Sequence, residues 1–110
     1  MYSLTNNQRS ICEKFGSKFI PALRNLKVGL ARQTLELSPV YGVREPLVGD
    51  TTGWYIWAGP HSDDPDFFQA VHAEHLSDIL PLVMPYLGLE PGFKFIIDAS
   101  GYEDVWFEPK

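Results

Sequence analysis

Gly53-Trp54-Tyr55-Ile56-Trp57-Ala58-Gly59 is the stretch on which the fold turns. Aromatic and β-branched residues between two glycines favour a pleated, packed strand over a helix. Alternation sends Trp54 and Ile56 to one side and Tyr55 and Trp57 to the other. Large apolar groups on both sides predict a central strand rather than an edge. A second aromatic run, Tyr102-Glu103-Asp104-Val105-Trp106-Phe107, follows near the C-terminus. The two runs hold all three tryptophans, so each tryptophan is expected in the core. Trp106 has an alternative: with Val105 and Phe107 inward, it shares an outer face with Asp104 and Glu108.

Working outward, Phe93-Lys94-Phe95-Ile96-Ile97 reads as a strand with Phe93, Phe95 and Ile97 in one register. Ser100-Gly101 can turn it back into Glu103–Phe107 as an antiparallel hairpin. Lys27 to Arg32 reads as a shorter strand with Val28 and Leu30 on one face. Residues 33–52 contain Pro39, Gly42, Pro46 and Gly49, too many breakers for a long regular element. That segment is expected to be irregular, with Leu35, Leu37, Val40 and Tyr41 packing as a flap. Thr5-Asn6-Asn7-Gln8 has the form of a capping box opening a helix from about Asn6 to Phe15, with Gly16 at its end. A helical spacing begins near Ala73 and runs through Leu76, Ile79, Leu80, Val83, Met84 and Leu87. Pro81 should kink or split it. Gly88-Leu89 before Pro91 has the form of a left-handed helix stop. The expected fold class is therefore α+β: one small domain, 1–110, with an antiparallel sheet of about four strands packed on helices.

A chain of 110 residues with 45% hydrophobic and 21% charged residues is long enough to bury a core without staples. Its single cysteine, Cys12, cannot form an intrachain disulfide, and between Ile11 and Phe15 it reads as a core residue. No signal-peptide pattern and no membrane-length apolar run is visible, so the expected location is cytoplasmic. Residues 1–49 carry seven Lys/Arg against three Asp/Glu, whereas residues 50–110 carry two against eleven. An acidic half disfavours nucleic acid as partner, since phosphate backbones require clustered cations. It suits a basic protein surface, because complementary potentials steer encounter.

The residues that could carry chemistry do not assemble into a reaction. His72-Ala73-Glu74-His75 sets two imidazoles three residues apart, and His61 could join as a third ligand. The zinc-protease helix needs His-Glu-x-x-His, which is absent. The expectation is no metal and no cofactor, with His61, His72 and His75 as the candidate ligands if there were one. Asp63, Asp64 and Asp66 fall in a polar loop, and Glu103 and Asp104 point to opposite sides of a strand, so no carboxylate pair is set up for acid/base work. There is no nucleophile elbow and no phosphate-cradling loop.

The quoted strands, together with Asp64-Pro65-Asp66-Phe67-Phe68, His72-Ala73-Glu74-His75-Leu76, Tyr86-Leu87-Gly88-Leu89-Glu90-Pro91-Gly92 and Glu103-Asp104-Val105-Trp106, make a longer pattern. It resembles a family of small bacterial proteins classed as immunity protein thirty-three, formerly a domain of unknown function. The similarity runs from about Ile11 to Phe107, with residues 33–52 as an insertion. The resemblance implies an immunity protein that binds and neutralises a toxin domain in the cytoplasm, with no cofactor and no catalytic residues. On that reading the toxin-binding residues are Asp63, Asp64, Asp66, Glu74, Glu103 and Asp104, with Trp106 as their anchor. The expected partner is a protein with a basic face, and neither nucleic acid nor membrane. A stand-alone interaction or regulatory module is the alternative, and a metal-dependent hydrolase the third reading.

Overall fold

The computed structural model describes residues 4–109. Helix α1 (Leu4–Phe15) is followed by β1 (Lys27–Leu30), β2 (Val40–Arg44), β3 (Thr51–Ala58) and β4 (Gln69–His72). A 3-10 turn (Ala73–His75), a four-residue helix α2 (Leu76–Ile79) and a 3-10 segment (Pro81–Tyr86) lead into β5 (Phe93–Ile97) and β6 (Glu103–Phe107). The strands form one sheet in the order β4-β1-β3-β2-β5-β6. All neighbouring pairs are antiparallel except β1 and β3, which are parallel. The α+β class holds, but the sheet has six strands and is mixed. Gly53–Ala58 lies within β3, an interior strand as expected, with Gly59 just past its end, and Phe93–Ile97 and Glu103–Phe107 form the expected hairpin.

One of the two additional strands comes from the segment expected to be irregular. Within residues 33–52, β2 pairs with both β3 and β5. Its alternation is regular: Val40, Gly42 and Arg44 are buried while Tyr41 and Val43 are half-buried. Gly42 looks like a breaker, yet the Phe95 ring lies directly over it, where a Cβ would come within 2.2 Å of ring atoms. The strand thus requires the residue that seems to forbid it.

The expected helix from Ala73 is also broken up. Strand β4 precedes it, and the rest is a 3-10 turn, one turn of α-helix and a 3-10 segment. Pro81 splits the helical run, as its missing N–H and ring clash dictate, with Leu80 at φ −149°. Gly88 is not left-handed; it packs against Phe19, and the positive φ falls at Gly92. The capping-box contact of Thr5 lies outside the described residues. The helix already includes Thr5, and Gln8 Nε2 donates to the Met84 carbonyl at 2.8 Å.

Helices α1 and α2 and the 3-10 segment Pro81–Tyr86 pack on one side of the sheet. Cys12, Leu76, Val83 and Leu87 share a core with Val28, Leu30, Trp54, Ile56, Phe95 and Ile97. Ile11 and Phe15, one turn apart on α1, pack against this core. Trp54 is 1% exposed, and its indole N–H donates to the Leu87 carbonyl at 3.0 Å. Burying so large a ring stabilises the fold only because that polar atom keeps a partner. No helix among the described residues is long and apolar enough to cross a membrane.

Candidate functional site

The opposite side of the sheet has no helical cover among the described residues. Strand registers lay its outward side chains in two rows. One runs Tyr55, Val43, Lys94, Trp106 across β3, β2, β5 and β6. The other runs Trp57, Tyr41, Ile96, Asp104 across the same strands. Neighbouring strands sit about 4.8 Å apart, so each row spans about 14 Å. Tyr41 stacks on Trp57 with centroids 5.3 Å apart and planes at 12°. Tyr55 is 40% exposed, and Tyr41, Trp57, Ile96 and Trp106 are each half-buried.

The β3–β4 loop closes one side of this face. Phe68 meets Tyr55 edge-on at 5.3 Å, and His61 meets Trp57 at 5.0 Å. Between them lies a shallow concavity of about 410 Å³ lined by Val43, Glu45, Tyr55, Trp57, His61 and Phe68. The loop is shaped by its own acids. Asp64 Oδ1 accepts from the Asp66 N–H at 2.8 Å, and the Phe67 N–H donates to the Asp64 carbonyl at 2.9 Å. This turn tucks Phe67 inward and leaves Asp63, Asp64 and Asp66 exposed at the margin of the aromatic face.

At the far edge, Lys94 Nζ lies 2.6 Å from Glu108 Oε1. Lys94 first, and then a hydrogen bond from Trp106, hold the Glu108 carboxyl below its ordinary range. Trp106 therefore lies beside a neutralised charge pair, with Asp104 exposed at the end of the neighbouring row.

The structure divides the seven residues singled out from the sequence. Asp104 and Trp106 share the open face, and Asp63, Asp64 and Asp66 flank it across the sheet. Glu103 faces the helices instead: it accepts a hydrogen bond from the Tyr86 hydroxyl and pairs with Lys14. Lys14 first and Tyr86 second keep its carboxyl below the usual range. Glu74 lies beyond β4, where one oxygen is 3.8 Å from Arg24 Nη2. The tryptophans divide as well, with only Trp54 in the core and Trp57 and Trp106 on the open face. His61 packs among Trp57, Phe67 and Phe68 and does not join His72 and His75.

Sequence reasoning missed Tyr41, read as part of a flap, and Phe68. Tyr41 had a signal, the Val40-Tyr41-Gly42-Val43-Arg44 alternation. Phe68 had none beyond its hydrophobicity, because its place depends on how the loop folds back.

The Imm33-like domain family matches residues 7–108, and the chain belongs to that family. No match was found among curated proteins or among solved structures.

Proposed function

We propose that this protein neutralises a toxin domain in the cytoplasm of the producing bacterium by covering it with the open face of the sheet. The observation that carries the reading is the pair of registered rows holding Tyr41, Tyr55, Trp57 and Trp106 without helical cover. Aromatic side chains supply much contact area for little lost rotamer freedom, and Tyr and Trp recur where binding energy concentrates. Family membership supports a protein partner of toxin type. Tyr55 and Trp57 act as apolar anchors, with Trp106 engaging at the far edge. Asp63, Asp64, Asp66 and Asp104 steer a basic surface toward them, as the active site of a toxin acting on a polyanion would be. Glu74 and Glu103 stand outside this surface, Glu103 being engaged by Lys14 and Tyr86.

Co-expression with the product of the neighbouring gene, as the candidate toxin, tests the reading. Wild-type protein should restore growth, and Tyr55→Ala combined with Trp106→Ala should not, while remaining folded by circular dichroism. Changing Asp63, Asp64 and Asp66 together to asparagine should slow association at low salt and leave a smaller effect at high salt, where exposed charges are screened. Full neutralisation by the aromatic double variant would refute the proposed surface.

A further inference from the structure

Away from the open-face rows, the turn after β4 brings two imidazoles and a carboxylate together. Donor atoms of His72, Glu74 and His75 all lie within 4.8 Å of one another, and all three residues are exposed. We propose that this turn is a binding site for a divalent first-row transition metal, zinc being the natural occupant for two nitrogens and one carboxylate oxygen.

Local geometry supplies what the residue order lacks. In an α-helix, histidines four apart share a face, which is why His-Glu-x-x-His is the familiar arrangement. Ala73–His75 is instead a 3-10 turn with His72 at its N-terminal boundary. At three residues per turn, positions i and i+3 eclipse, so a three-residue spacing brings His72 and His75 to the same side. Their ring centroids are 6.0 Å apart. Glu74 Oε1 lies 3.9 Å from His75 Nε2. Metal bonds of about 2.0–2.1 Å in a tetrahedral site place donors about 3.4 Å apart, so small side-chain rotations close the set.

The backbone beneath the cluster is well anchored. His72 pairs with Lys27 in the sheet, the Ala73 N–H donates to Leu26 and the Glu74 N–H to Arg24. Leu76, immediately after, is fully buried. Lys27 Nζ lies 2.9 Å from an Asp50 oxygen, and the Arg24 side chain near Glu74 is 86% exposed and free to swing away. His72, His75 and Asp78 line a concavity of about 400 Å³ together with Lys27 and Arg32, with Glu74 outside that lining, and the opening gives an ion access and leaves its fourth position to water or to a ligand from another molecule. It requires no toxin partner and is independent of the open aromatic face.

Zinc titration of the full chain without a histidine tag, followed by calorimetry, tests this. One saturable site per chain is expected. His72→Ala and His75→Ala should each weaken it by at least about tenfold, since losing even an outer partner of a metal ligand costs about 10–100-fold. His61→Ala should leave it unchanged, and cobalt in place of zinc should give the visible absorption bands of a low-coordinate site. No saturable binding, or binding that survives both His72→Ala and His75→Ala, would overturn the proposal. So would binding that disappears with His61→Ala.

Discussion

Arg44 is tightly held by the backbone around it. It is 1% exposed, and its guanidinium donates to the carbonyls of Thr52, Ile20, Leu87 and Leu89. No carboxylate pairs with it among the bonds and ion pairs of the described residues. Burial pulls its pKa down to about 10, which still leaves the charge at neutral pH. A planar fork with five N–H groups can tie β2 to β3 and to the chain around Phe19–Leu89 at once; an ammonium cannot. Arg44→Lys should therefore cost about 2–4 kcal/mol in urea unfolding, because several buried carbonyls lose their donors. An unchanged midpoint would mean that these bonds contribute little. Glu103 makes a second prediction. Lys14 and Tyr86 lower its folded pKa, so its contribution is present above the ordinary glutamate range and is lost as pH falls through the folded value. Stability measured from neutral to acid pH should fall less steeply in Glu103→Gln than in the wild type.

At the scale of elements, strands that alternate large apolar residues were legible, and those that depend on glycine or arginine were not. β3, β5 and β6 announced themselves. β2 hid because two of its three inward positions are Gly42 and Arg44, a breaker and a charge, so hydropathy alternation vanishes although burial alternates strictly. The stretch after Ala73 misled for another reason: 3-10 turns repeat every three residues, close enough to 3.6 for a short apolar series to look α-helical. Gly53 shows the same dependence on backbone. It has φ +85°, and a Cβ there would approach the Glu45 carbonyl oxygen to 2.1 Å. The register of β1 against β3 shifts beside it, between Lys27↔Thr51 and Gly29↔Tyr55. Gly53→Ala should cost about 2 kcal/mol or more through left-handed strain and the backbone collision. A thermal melt matching the wild type would show that the β2–β3 pairing can relax around it.

Across the whole molecule, the sheet separates two environments. One side carries the helices and the buried core; the other carries aromatic rows with acids at their margins. The sequence revealed the aromatic residues and the acidity of the C-terminal half, but it could not reveal their grouping. Asp104 and Glu103 are neighbours in the chain, yet strand alternation sends them to opposite sides. Asp63 and Asp104 are far apart in sequence, yet flank one surface. Such grouping is a product of strand order, and the order depends on the strand β2 that composition concealed.

The most direct measurement is the affinity of this protein for a candidate toxin domain, the product of the neighbouring gene, comparing variants on the two sides of the sheet. Tyr55→Ala with Trp106→Ala on the open face should weaken binding by about 30-fold or more, roughly 2 kcal/mol, with the melting transition preserved. Leu82→Ala, an exposed apolar residue on the helical side, should leave affinity unchanged. Equal affinity for the open-face variant, with loss in Leu82→Ala, would place the binding surface on the helices and contradict the account.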